Sequence, residues 1–313
     1  MFTKPLLAGF SLLVACSVLA AIAGVGRIGA GRPNLPQKST VADRPTLAKP
    51  ADQGTELPLI VLIAAEPEYD SPTSLDTLAK SLDPKRFRTT LLKPAPSQDT
   101  ADNLPGTDAL DHAAAVVIFA RFQRWPAEQL APLERHIKRG GGIVAIRTST
   151  HAFAYDASSP LSSWNSFGPR VLGAPWIYHY GHDSSTAVRL DEANRDHPML
   201  KGVAPFSSRS WLYCLNPPST PTLGTFPPVG AIVFLRGQSI DPSGNAPADR
   251  PIEPVAWTLE NEWHGRVFTT TLGHPDDFKN ESFVRLLRNA IDWASEPNRA
   301  AEQSKDHPSR DTK

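Results

Sequence analysis

The chain has 313 residues, with 32 Lys+Arg against 32 Asp+Glu and a formal net charge of zero. A neutral balance with 20% charged residues excludes the cationic face that a nucleic-acid binder needs to neutralise phosphates. Two cysteines, Cys16 and Cys214, exclude a disulfide framework, a zinc finger and an iron–sulfur cluster. The 31 prolines, about twice the usual share, favour ordered turns over a helical bundle.

Residues 5–26 carry no charge and follow Lys4. Ala21 and Ala23 supply the small residues of a cleavage site, so 1–26 reads as an export signal. The same run is long enough to span a bilayer as a retained membrane anchor. In a third reading, Leu13-Val14-Ala15-Cys16 is a lipid-attachment box. All three place the bulk of the protein outside the cytoplasm, in the periplasm or cell envelope. If the signal is removed, Cys214 has no intramolecular disulfide partner. Residues 27–56, with Pro33, Pro36, Pro45 and Pro50, read as a proline-rich linker. Residues 295–313 are polar, lack aromatics and read as a disordered tail. That leaves 57–294, a size suited to a single α/β domain.

Residues 57–65 (LPLIVLIAA) form a continuous apolar run, as in a strand buried on both faces of a parallel sheet. Leu75, Leu78, Ala79 and Leu82 fall at helical spacing, and Asp83-Pro84 ends that helix. Strands follow at 87–92 and 113–120. Leu130, Leu133 and Ile137 then share a helix face, Lys138 and Arg139 lie in its last turn, and Gly140 suits a left-handed cap. Pro126 fits the first turn, whereas Pro132 predicts a kink or a later start. A strand at 142–146 completes a strand–helix–strand series, which implies right-handed crossovers in a doubly wound, mostly parallel sheet with helices on both faces. Residues 150–250 are irregular, with short strands expected at 187–190, 211–215 and 231–235. Strands at 254–259 and 266–272 are joined by a turn at Glu260-Asn261-Glu262. Phe283, Leu286, Leu287, Ala290, Ile291 and Ala294 form the apolar stripe of a last helix, with Asp276-Asp277 at its N-terminus.

Ligands of open α/β sheets bind beyond the carboxyl ends of the strands. Three such ends carry polar clusters: Glu66-Pro67-Glu68-Tyr69, Arg147-Thr148-Ser149-Thr150-His151 and Gly273-His274-Pro275-Asp276. Each alone reads as a solvated turn; together, on one edge, they define a candidate site. His274 is either a general base, its tautomer fixed by the Asp276 carboxylate, or a buried histidine bonded to backbone. Asp276 is equally placed to cap the final helix. Arg147 either holds a substrate hydroxyl, carboxylate or oxyanion, or forms a structural ion pair. Ser149 with His274 and Asp276 would make a serine triad, but the glycine-flanked nucleophile turn of hydrolases is absent. His151, His179 and His182, with Tyr178, Tyr180 and Asp183 adjacent, have two readings. They form either the polar side of a carbohydrate-facing loop or, with His274, the ligands of zinc or another divalent metal. Trp164, Phe167, Trp176, Tyr178 and Tyr180 either stack on sugar faces or fill a small core over the sheet.

Several segments resemble the trehalose-utilisation, or ThuA-like, family: Gly140-Gly141-Gly142-Ile143-Val144-Ala145-Ile146, Asp196-His197-Pro198-Met199-Leu200-Lys201-Gly202-Val203, and Leu212-Tyr213. Pro254-Val255-Ala256-Trp257, the run 265–274 and the ending Ile291-Asp292-Trp293-Ala294 complete the likeness, which spans roughly 57–294. It implies a fold similar to class I glutamine amidotransferases and a part in carbohydrate catabolism. In amidotransferases the turn after the central strand carries a cysteine nucleophile. Here that turn reads Arg147-Thr148-Ser149, which excludes a thiolate mechanism. ThuA-like proteins often place a histidine in this turn, whereas here His151 comes four residues after Arg147. His274-Pro275-Asp276 resembles the His-Pro-Glu segment that supplies a base and its orienting acid.

The resulting expectation is an exported ThuA-like enzyme that hydrolyses or isomerises a glycoside or oxidised sugar. His274, Asp276 and Arg147 are its catalytic residues; Glu66, Ser149, His151, His179, His182 and Tyr213 bind the small-molecule sugar. The alternative is a non-catalytic carbohydrate-binding or complex-forming module. Assembly into a homo-oligomer is compatible with either.

Overall fold

A computed structural model describes residues 56–95, 101–182, 184–216, 225–246 and 250–296. The expected signal or anchor, nearly all of the linker and all but the first two residues of the tail lie outside the described residues. Within them the chain order is β1 (Leu59–Ala65), α1 (Ser71–Ser81), β2 (Arg88–Leu92), β3 (Ala113–Ala120), α2 (Ala127–Lys138), β4 (Gly142–Ile146), β5 (Tyr178–His179), β6 (Ser185–Leu190), β7 (Phe206–Ser208), β8 (Tyr213–Cys214), β9 (Ile232–Ile240), β10 (Ile252–Glu260), β11 (Arg266–Thr270) and α3 (Glu281–Ser295). No described helix is long and apolar enough to cross a membrane.

Nine strands form one sheet in the order β2-β1-β3-β4-β11-β10-β9-β6-β7. Pairing is parallel from β2 to β11 and antiparallel from β11 to β7. The expected doubly wound half therefore carries a wide antiparallel wing. Side chains alternate across the parallel half with a period of two. Ile60, Leu62 and Ala64 join Leu75 and Leu78 of α1 and Phe283, Leu286 and Ile291 of α3 in one core. Val61, Ile63 and Ala65 join Leu130, Leu133 and Ile137 of α2 in another. Strands covered on both faces have no polar side to present, which is why their sequences read as unbroken apolar runs.

Several details depart from expectation. β9 extends five residues past the expected 231–235, through Arg236-Gly237-Gln238-Ser239-Ile240. Only Tyr213–Cys214 of the expected 211–215 is strand, and it pairs with β5 in a separate two-stranded sheet. α2 begins at Ala127 and contains Pro132, so the later start is not found, and Pro126 sits at its N-cap rather than in its first turn. Asp276 and Asp277 belong to a separate short 3-10 turn, Pro275–Lys279. Asn280 caps α3 instead, its Oδ1 accepting the Phe283 N–H at 3.3 Å. The β10–β11 hairpin turns at Asn261 as expected: Asn261 N–H donates to the Gly265 carbonyl, and its Oδ1 accepts from Trp263 and Gly265.

The chain leaves β1 toward β2 on one side and β3 lies on the other, so the strand order reverses between β1 and β3. In such sheets the crevice at the carboxyl ends of that pair is the natural ligand site. Here it is bordered by Glu66–Tyr69 after β1, Arg121-Phe122 after β3, and Arg147 after β4.

Candidate functional site

β4 is followed at once by Arg147, whose φ of 46° lies in the left-handed region that side-chain-bearing residues avoid. This sharp strand-to-turn bend drives the side chain beneath the crevice, leaving Arg147 1% exposed. Nη1 donates to the Thr271 carbonyl at 3.0 Å and toward the Trp211 carbonyl at 3.5 Å, and Nη2 donates to Tyr69 Oη at 2.9 Å. Nε has no partner. The rings of Tyr69 and Tyr213 lie 4.4 and 5.1 Å from the guanidinium carbon, close enough for cation–π attraction. All its hydrogen-bond acceptors are neutral, and among the described residues no carboxylate pairs with it. The ion pair weighed for Arg147 is therefore not formed there.

Gly273 makes this bend possible. Its φ is 144°, and a Cβ there would meet Ile146 Cγ2 at 2.7 Å and Arg147 Cβ at 3.2 Å. The bare backbone lets the segment after β11 close onto the bend and deliver His274 beside Arg147. His274 Nδ1 accepts the backbone N–H of Asp276 at 3.2 Å. A ring nitrogen that accepts carries no proton, so this contact assigns the proton to Nε2. Burial, followed by the charges of Arg209 and Arg147, lowers the pKa of His274, against an opposing pull from Asp277 and Asp276.

The expected carboxylate partner is arranged differently. Asp276 Oδ2 lies 3.6 Å from His274 Nδ1, beyond hydrogen-bond reach. Its carboxylate instead pairs with Lys279 Nζ at 2.7 Å and Arg209 Nη1 at 3.4 Å. The buried acid is the next residue. Asp277 Oδ2 accepts from Ser208 Oγ at 2.7 Å, Ser210 Oγ at 2.9 Å, and the N–H groups of Gly273 and His274 at 3.0 Å each. It ties the His274 turn to the β7–β8 connection. The partner segments lie 67 and 69 residues away, so no local sequence signal distinguishes it from Asp276.

Two adjoining cavities open above these groups. The larger, of 690 Å³, has Tyr69, Arg147, His182, Arg209, Trp211 and His274 in its walls. The smaller, of 60 Å³, is lined by Arg121, His151, Trp176, His179 and Tyr213, and shares Glu68, Tyr69 and Trp211 with the first. The Trp211 ring centroid lies 4.8 Å from those of both His179 and His182, which are 4.9 Å from each other. His179 Nδ1 is buried without a partner. His151 lies between the rings of Phe122 and Trp176, at 5.0 and 5.1 Å, and each of these two aromatics is 39% exposed. Burial first, then the charges of Arg121 and Arg147, push the His151 pKa down to about 3. For His179 the same direction follows from burial, His182 and Arg147. Burial raises the Tyr213 phenol to about 12.

The site residues expected from sequence thus divide. His274, Arg147 and His182 share the larger cavity, and His151, His179 and Tyr213 the smaller. Glu66 and Ser149 reach neither. Glu66 Oε2 accepts the Tyr69 N–H at 2.5 Å, Oε1 makes no hydrogen bond but lies 3.7 Å from Arg121 Nη1, and burial raises its pKa. Ser149 Oγ lies 2.8 Å from the carbonyls of both Ile118 and Ile146 and accepts the Ala120 N–H at 3.3 Å. It stitches β3 to β4 and cannot attack a ligand. Trp164 and Phe167 pack on Phe153 at 5.1 and 5.4 Å as core. Among the described residues no three His, Cys, Asp or Glu side chains are grouped to hold a metal ion; Asp183 lies outside them. Tyr69, in the same strand-end cluster as Glu66, lines both cavities in its place.

A family model described as ThuA, trehalose utilisation, matches residues 62–294. The structure of a ThuA-like protein from Bacteroides uniformis is similar with a TM-score of 0.52, at 17% identity, over 79% of this chain and 95% of that one. A ThuA-like protein from Parabacteroides merdae matches with the same TM-score, at 18% identity, over 77% and 90%. At these identities the two structures speak for the fold. No curated protein sequence matches the chain.

Because Asp277 Oδ2 satisfies four donors, Asp277→Ala strands all of them in a buried place. We expect a loss of about 3–5 kcal/mol in unfolding free energy, measured by urea denaturation. Asp276→Ala, which breaks only exposed pairs, should leave the urea midpoint close to that of the wild type.

Proposed function

The chain belongs to the ThuA family of trehalose utilisation, and on that premise we propose that it is an exported enzyme hydrolysing or isomerising a glycoside or oxidised sugar in the cavity between Arg147 and His274. The observation that carries this reading is the buried guanidinium of Arg147, which has no counter-ion among the described residues and lies in the wall of an imidazole- and aromatic-lined cavity. Breaking a sugar C–O bond, or moving a proton beside a carbonyl, develops negative charge on oxygen. A fixed cation in a dry site stabilises that charge without reorganising. The lowered pKa values of His274, His179 and His151 leave these rings neutral near pH 7, and a neutral imidazole can give or take a proton. Trp211, Trp176 and Phe122 offer apolar faces to sugar C–H surfaces. Cys214 is buried in β8 and is absent from the walls of both cavities, so this reading gives a thiolate no part in the chemistry.

In this reading His274→Ala lowers turnover of the accepted sugar at least about 100-fold, while calorimetry shows sugar affinity held within about threefold. A wild-type protein that binds sugars yet converts none, across a panel of glycosides and their oxidised forms, would instead identify a binding module. Export is tested by mass spectrometry of the mature N-terminus: cleavage near Ala23 is expected, and an unprocessed N-terminus in soluble cytoplasmic protein contradicts it.

A further inference from the structure

The larger cavity presents two hydrogen-bond donors whose hydrogens no described residue accepts. Tyr69 Oη already accepts from Arg147 Nη2, which leaves its own O–H free to point elsewhere. His274 Nδ1 already accepts from Asp276 N–H, which leaves Nε2–H as the outward group. Both residues line this cavity. Their ring centroids are 6.3 Å apart and their planes meet at 71°. Behind Tyr69 stands the Arg147 cation.

Two donors backed by a positive charge suit an oxygen that only accepts. A sugar hydroxyl brings a proton that needs an acceptor of its own. Among the described residues of the cavity wall the one carboxylate, Glu68, is already paired with Arg121. A carbonyl oxygen has no such need, and its demand for donors grows as it becomes an enolate. We infer that Tyr69 and His274 form an oxyanion site that selects a sugar bearing a ketone or aldehyde, and that the reaction there is proton transfer at the adjacent carbon. This rests on the sugar-transforming reading above and narrows it to oxidised sugars.

The step balances without an oxidant or reductant. The imidazole of His182, in the same cavity wall, takes the proton from the carbon beside the carbonyl. The released C–H electron pair forms a carbon–carbon double bond, and the carbonyl π pair moves onto oxygen. Tyr69 O–H and His274 Nε2–H hold that oxygen. The proton then returns from His182 to the same carbon, on the same or the opposite face, giving exchange or epimerisation. Tyr69 and His274 touch the reacting oxygen and are catalytic residues in this proposal, as is His182.

The test uses the full chain in D2O with two probes, methyl α-D-glucoside and the same glycoside oxidised to a ring ketone. Proton NMR follows loss of the C–H signal beside the carbonyl. The wild-type protein should exchange that hydrogen in the ketone and leave the parent glycoside unchanged. Tyr69→Phe should lower kcat for exchange about 100- to 1000-fold with KM within threefold. His182→Gln, a second variant at an exposed residue, should abolish exchange with KM likewise kept. Exchange by Tyr69→Phe within threefold of wild type overturns the proposal. Hydrolysis of the parent glycoside without exchange in the ketone also overturns it but leaves the wider reading standing. Conversion of neither probe nor any other sugar in a panel removes both.

Discussion

A single buried cation organises this molecule's ligand edge. The guanidinium of Arg147 is held by groups that lie 64, 78 and 124 residues away in sequence: the Trp211 carbonyl, the Tyr69 hydroxyl and the Thr271 carbonyl. Hydrogen bonds from a charged donor contribute roughly 1.5–3 kcal/mol each. Desolvating the charge costs several kcal/mol, so neutral acceptors leave most of its potential uncancelled. That potential reaches His151, His179 and His274 and adds to the burial that lowers their pKa values. Two backbone conditions make the arrangement possible: the left-handed bend at Arg147 itself and the missing side chain at Gly273.

The parallel half of the sheet was legible because its physics is local. A strand covered on both faces must be apolar at every position, and 57–65, 113–120 and 142–146 announce this without reference to any partner. The antiparallel wing was less legible. In β9, buried Leu235, Gly237 and Ser239 alternate with partly exposed neighbours, so the polar half of the strand resembles a loop. β5, β7 and β8 span only two or three residues each, and their existence depends on distant partners. Pro132 shows the opposite error. Its local rule predicted a kink or a later start, but α2 already begins at Ala127, its apolar face packed against the sheet.

Within the site, sequence located the neighbourhoods and misjudged the directions. The three clusters expected at carboxyl ends of strands, Glu66–Tyr69, Arg147–His151 and Gly273–Asp276, each bring residues to the two cavities. Which side chain faces the crevice depends on the path of the turn. After β1 it buries Glu66 and presents Tyr69. After β4 it sends Ser149 back between two strands and keeps Arg147 and His151 forward. In the last turn the buried acid is Asp277, one residue beyond the expected Asp276, and a backbone N–H fixes the His274 tautomer. Each difference is a single step along a tight turn, and only long-range contacts decide such a step.

The most direct measurement is an NMR titration of the imidazole ring protons in wild-type protein and in Arg147→Met, which removes the charge and keeps a long side chain. With the cation gone, the positively charged form of each ring is less opposed, so the pKa values of His151, His179 and His274 should all rise toward 6.5, stopping short of it because burial remains. His151 should start from about 3. Titration curves that coincide in the two folded proteins would contradict the central place given to this buried charge.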